Sequence, residues 1–388
     1  MYTLLQKIKP LFEKGGKLSR LYPVYEMIEA ILYVSPKRTQ HGTHIKDAMD
    51  MKRFMFLVVV AGTPAFLFGI FNAGYQHFLS AGIDAGFWQI IAKGLWIVLP
   101  IYIVTLAVGA VWEVLFAVVR KHDVYEGFLV TSFLIPMIVP PTIPLWQVAV
   151  ATSFGIVIGK EVFGGVGYNI FNPALVARAF LFFAYPKSIS SDSVWTQFSD
   201  KVVDAYTAAT PLAVMSEAGS GTVINTLTDK GYTFWQMFVG LIPGSIGETS
   251  TLAILIGMVI LLMTGIASWR IIFSVFAGGF VMTALFNLLS PGPSHVFAVP
   301  FHYQMVMGGF AFGAVFMATD PVSAADTRTG KYIYGFLIGV LALLIRNLNP
   351  AYPEGMMLAI LFMNLFSPLI DHIVVALHKK RRMSRGRK

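Results

Sequence analysis

Long apolar stretches recur along this chain from Phe54 to Ala376. Several are long enough to cross about 30 Å of hydrocarbon as single helices. With 56% hydrophobic and only 13% charged residues, the apolar surface exceeds what one soluble core can hide, so lipid must be its solvent. Residues 1–50 carry scattered charge and no apolar signal region, which leaves the first spanning helix as the expected insertion signal.

Apolar runs between charged or turn-rich punctuation predict helices near 54–76, 88–118, 127–141, 145–163, 172–184, 233–266 (broken), 270–289, 303–319, 333–346 and 354–376. The expected fold is an all-α polytopic membrane protein of about ten transmembrane helices. Much of the formal charge of +9 sits at the ends, in Lys7, Lys9, Lys14, Lys17 and Arg20 and in the run from Lys379 to Lys388. Positive-inside retention explains these ends better than nucleic-acid binding and puts both termini in the cytoplasm. Alternating insertion then places Arg120-Lys121-His122, Lys160-Glu161, Arg270, and Arg328 with Lys331 on the cytoplasmic side. Gly82-Ile83-Asp84, the turn Pro140 to Pro144, the loop 185–231, Ser290 to Phe301, and Arg346 to Pro353 fall outside.

The resulting division is a cytoplasmic segment 1–53, a first membrane unit 54–184, an external loop 185–232, a second membrane unit 233–376 and a basic tail 377–388. Two segments resemble each other: Asn169-Ile170-Phe171-Asn172-Pro173-Ala174 opens the fifth helix, and Asn347-Leu348-Asn349-Pro350-Ala351 opens the tenth. A duplicated unit with an odd number of crossings inserts in opposite orientations, which predicts two inverted five-helix repeats. Asn as cap with Pro at the first helical position is the simpler explanation of either segment alone. The short fifth helix and the break Pro243-Gly244-Ser245-Ile246-Gly247 are expected to be broken half-helices. Their free backbone groups lie within the membrane, where they suit ions or polar cofactors, although a plain kink is the structural alternative.

Glu113 lies inside the second helix, where an isolated charge costs about 2.5–3.5 kcal/mol. It is either functional or an interfacial carboxylate paired with Arg120. Asp371, in the last helix, is the comparable residue of the other repeat, or else a solvated helix end. Asp320 before Pro321 reads as a turn residue, and Glu354 after Pro353 as a carboxylate suited to a helix start. Glu26 lies in the amino-terminal segment at the membrane surface. The chain contains no cysteine, so it supplies no thiolate to an iron–sulfur cluster or structural zinc. Gly165-Val166-Gly167 and Gly155 to Lys160 fall short of nucleotide-binding motifs, and the dispersed histidines give a metal site little support. In the external loop, Asp204-Ala205-Tyr206-Thr207-Ala208-Ala209-Thr210 puts a hydroxyl on an accessible, flexible segment six positions after an acid, an arrangement suited to modification by an external enzyme.

Along nearly its whole length the chain resembles the B subunits of sodium-translocating NADH:quinone oxidoreductases, with the D subunits of Rnf complexes as more distant relatives. The resemblance runs through Arg120-Lys121-His122, Val139-Pro140-Pro141-Thr142, Lys160 to Gly165, Asn172 to Leu175, Arg178 to Pro186, Gly247-Glu248, Met317 to Ala324, and Asn349 to Met357. It implies FMN joined by a phosphoester to Thr210 through an external flavin transferase, although Thr207-Ala208-Ala209-Thr210 replaces the commoner Ser-Gly-Ala-Thr. It also implies riboflavin near Asn169 and Asn172, and a sodium pathway through Glu113, Asp371, Glu26 and Asp320. A quinone vicinity is implied around Gly109, Ala110 and Trp112, where Ala110 replaces a family glycine. The implied partners are the other subunits of the pump, ubiquinone and Na+, in a bacterial inner membrane. NADH oxidation is left to another subunit, because this chain has no nucleotide fold. The alternatives are a ferredoxin-linked Rnf-type subunit, a cofactor-free channel or secondary transporter, and a scaffold.

Overall fold

The computed structural model describes residues 51–121, 127–198, 208–217, 222–349 and 352–385, with 8–12, 18, 22 and 25 of the amino-terminal segment. Helices account for nearly all regular structure, and there are no strands among the described residues. Before the large loop come α1 (Met51–Ser80), α2 (Phe87–Arg120), α3 (Gly127–Met137), α4 (Leu145–Val157) and α5 (Pro173–Ala184). The loop folds into short helices, among them α6 (Pro211–Glu217) and α7 (Val223–Asp229). After it come α8 (Phe234–Val239), α9 (Thr251–Met263), α10 (Trp269–Leu289), α11 (Phe301–Val306), α12 (Arg328–Leu348) and α13 (Met356–Arg385).

Six helical stretches have the length and hydropathy to cross a membrane, and α3, α5 and α9 are shorter apolar helices. Every apolar run in the sequence is therefore helical, but several are interrupted. The sixth run is helical only over α8 and α9, and 240–250 between them is irregular. The eighth divides into α11, a short turn Phe310–Phe312 and the π-helix Gly313–Met317. Gly308 and Gly309, at φ 58° and 66°, supply left-handed backbone at that division, a conformation that costs a residue with a Cβ more than it costs glycine.

Within a bilayer, irregular backbone survives only where protein satisfies it. Here the interruptions satisfy one another: the Gly247 amide donates to Met137 O at 2.7 Å, and the Ile246 amide to Val139 O at 3.3 Å. At the other interruption, Arg346 donates to the carbonyls of Gln304 (2.7 Å), Met307 (3.1 Å) and Gly308 (3.2 Å). A continuous apolar core built largely from the interrupted segments and the buried stripes of α1, α2, α10, α12 and α13 encloses them.

Contacts between helix ends group those ends as alternating insertion demands. His77, near the end of α1, reaches Gln197 O at 2.7 Å, and Thr142 donates to Val194 O at 2.6 Å. Both contacts belong to the face carrying the large loop. On the opposite face Arg120 meets Glu161, Trp269 meets Tyr332, and Asp371 meets the backbone at Asp326 and Thr327.

Candidate functional sites at the helix interruptions

The large-loop face holds a cavity of about 410 Å³ whose lining includes Thr210, Arg178, Glu248, Gly309, Tyr352 and Glu354. Thr210 is half-buried and sits immediately before α6, and its Oγ1 accepts a hydrogen bond from the Ala213 amide at 3.2 Å. Ala208 and Ala209 before it are buried, and the Tyr232 hydroxyl donates to Ala209 O at 2.7 Å. The hydroxyl thus stands at the cavity wall at the start of a folded segment. Asp204 lies outside the described residues.

Arg178 forms the charged wall of this cavity. It is 4% exposed, and its position one turn into the half-helix α5 aims it at the other interruptions. Nη1 donates to Ile138 O and reaches Glu248 Oε1 at 3.3 Å, while Nη2 pairs with Glu354. One guanidinium therefore joins α5 to the end of α3, the break before α9 and the segment before α13. A planar fork can satisfy several acceptors at once in this way, where an ammonium would act as a point charge. Glu354 Oε1 is buried without a hydrogen-bond partner. The carboxylate expected to serve a helix start instead belongs to an ion-pair network.

On the opposite face a second, smaller cavity of about 80 Å³ brings together Asn169, Asn172, Asp320 and Lys160. Asn172 caps α5, its Oδ1 accepting from the Ala174 amide at 3.0 Å, and Asn169 Nδ2 donates to Phe171 O at 2.9 Å. Asp320 follows the π-helix and accepts from Ser323 Oγ at 2.6 Å. That volume suits a few waters or a cation and falls well short of the roughly 300 Å³ at which pockets for drug-sized ligands begin.

Glu113 is 1% exposed and pairs with Lys160, itself 2% exposed. Arg120, its expected partner, instead binds Glu161 at 3.1 Å, because the 161–163 turn presents that carboxylate at the end of α2. Lys160, assigned by charge counting to a cytoplasmic loop, is fully buried. Gly109 lies one turn before Glu113 on the same buried stripe, facing Ser132, whereas Ala110 and Trp112 are half-buried beside that stripe. Asp371 accepts from the amides of Asp326 (2.7 Å) and Thr327 (3.0 Å) and from Thr327 Oγ1 (2.5 Å). It therefore tethers the start of α12 rather than lining either cavity. Glu26 lies outside the described residues.

Sequence reasoning missed Arg178, Glu248 and Lys160 as site residues. A signal was present: each is a charged residue in or beside a short, interrupted apolar run, and a charge there needs a partner from another helix.

Long apolar helices and interrupted ones, with buried ion pairs and cavities at the breaks, define a polytopic helical membrane protein. The chain matches the model of the NQR2, RnfD, RnfE family over residues 38–379 and belongs to that family. Its relatives include proteins named as the B subunit of Na(+)-translocating NADH-quinone reductase. That of Azotobacter vinelandii is 50% identical, covering 99% of both chains. Those of Yersinia pestis and Chromohalobacter salexigens are each 49% identical, covering 99% and 98% of this chain and 99% and 95% of their own.

Proposed function

We propose that this chain is the membrane subunit of a respiratory sodium pump that passes electrons from NADH toward ubiquinone and couples them to Na+ export. FMN joined to Thr210 is the proposed cofactor. The observation that carries this reading is the placement of Thr210 on a 410 Å³ cavity walled by Arg178, Glu248 and Glu354, in a chain about half identical over nearly its full length to the B subunits of its relatives.

The residues present fit a covalently held flavin. The cavity has the volume for a drug-sized ligand, and Thr210, which bears the hydroxyl, lines it with the polar side chains of Arg178, Ser245 and Thr249. Bound there, FMN supplies reversible electron transfer. The chain's own residues orient and enclose it: Tyr232 holds the Ala209 carbonyl, the Ala213 amide holds Thr210, and Arg178, Glu248 and Glu354 wall the cavity. Riboflavin, the second implied cofactor, is proposed near Asn169 and Asn172, with other subunits completing its surface.

Glu113 and Asp320 are the proposed sodium-pathway carboxylates of this chain, with Asp371 and Glu26 as further members. The quinone vicinity is assigned to Gly109, Ala110 and Trp112 on α2. The flavin transferase acts outside a bacterial inner membrane, with both termini cytoplasmic and the large loop external, as the basic ends demand. The two membrane units 54–184 and 233–376 are proposed to be the inverted repeats. The interruption after α3 then corresponds to the one after the π-helix, each followed by a proline-containing turn.

In-gel fluorescence of the denatured chain, expressed with its transferase, tests the flavin assignment. The wild-type band should fluoresce and Thr210→Val should not. A fluorescent T210V band would overturn it. Reduction of the purified complex by NADH and not by ferredoxin separates this reading from an Rnf-type protein.

A further inference from the structure

Resting on the sodium role proposed for Glu113, we propose that Lys160 is a tethered cation that occupies the Glu113 site when Na+ does not, so that a transported cation must displace it. The ammonium pairs with Glu113, and both side chains are 2% exposed. It also lies 3.5 Å from Glu161 Oε1, and Arg120 clamps Glu161 from the surface side at 3.1 Å. The result is an alternating chain, Glu113, Lys160, Glu161, Arg120, running from a buried carboxylate to the face of the protein. Lys160 additionally lines the small cavity that contains Asp320, Asn169 and Asn172.

This arrangement gives the ammonium two environments. In one it neutralises Glu113. In the other, swung toward Glu161 and the cavity, it leaves Glu113 to a free monovalent cation without leaving any carboxylate uncompensated. Lysine suits the exchange because its charge sits on a flexible four-carbon stem, whereas arginine engages a carboxylate through a rigid bidentate fork. The turn that follows, with Gly164 and Gly165 at φ 122° and 102°, holds the Lys160-Glu161 pair against the end of α2 in a conformation that other residues rarely adopt.

The test uses the assembled, purified complex, with binding of radiolabelled Na+ and the half-saturating Na+ for turnover as readouts. Removing a contacting unit charge should tighten Na+ binding by roughly tenfold in Lys160→Met. Lys160→Arg, which keeps the charge and holds the carboxylate more firmly, should weaken it. Glu113→Gln combined with K160M should match E113Q alone, because the two residues act on one site. If E113Q shifts Na+ binding and K160M does not, the tethered-cation role is overturned while the sodium role of Glu113 stands. If E113Q itself leaves Na+ binding unchanged, the sodium role fails and this inference fails with it. Should K160M fail to assemble, K160R carries the test, and unchanged Na+ binding in K160R overturns the proposal.

Discussion

Replacing Arg178 with Met should be the most damaging single change at the larger cavity. The substitution preserves much of the aliphatic volume but leaves Glu248, 8% exposed, and Glu354 without their shared cation. Removing one partner of a buried ion pair costs about 3–5 kcal/mol, which corresponds to roughly a hundredfold to several-thousandfold in the population of the intact site. Loss of the donation to Ile138 O adds about 1 kcal/mol. Neutralising the acceptors as well, in R178M/E248Q/E354Q, removes the uncompensated charge and should restore most of the stability, since a buried pair exchanged for neutral groups is often close to energetically even. Arg178→Lys should fall between, because a single ammonium cannot span Ile138 O, Glu248 and Glu354. The assay is the apparent melting temperature of the detergent-purified complex, read beside in-gel flavin fluorescence. A triple variant as unstable as R178M, or an R178M protein as stable as wild type, would refute the claim that Arg178 holds these interruptions together by charge.

Gly109→Ala places a Cβ 2.5 Å from Ser132 Oγ, an overpacking expected to cost about 1–3 kcal/mol. The double variant G109A/S132A should recover most of that in a thermal melt, and failure to do so would place the strain elsewhere. Asp371→Ala removes the acceptor of three hydrogen bonds at 326–327 and should cost about 1–3 kcal/mol of stability. Limited proteolysis should then find the loop before α12 more susceptible, and an unchanged cleavage pattern would argue against the tether.

The two Asn-Pro-Ala segments are expected to start the fifth and tenth helices. The first does so, with Asn172 capping α5 at Pro173, whereas Asn347 and Leu348 of the second end α12, Asn349 is its C-cap, and α13 begins at Met356. Pro350 and Ala351 lie outside the described residues. Glu113 was recognisable as costly from its apolar surroundings, but its partner was not. Arg120 is near in sequence, whereas Lys160 is brought in by the packing of α4 against α2. Thr210 was singled out by a resemblance to a family signature, and the cavity it lines could not be read from the loop's composition.

Apolar run length and the absence of cysteine determined by themselves that this chain is a helical membrane protein without thiolate-held metal, because the lipid solvent admits few alternatives and the chemistry needs the atom. Which charges meet was decided only by tertiary structure. Ion pairing depends on where interrupted helices bring their ends, and neither hydropathy nor spacing along the chain carries that information. Arg178 thereby joins four segments, and Lys160 leaves its expected loop for a buried carboxylate.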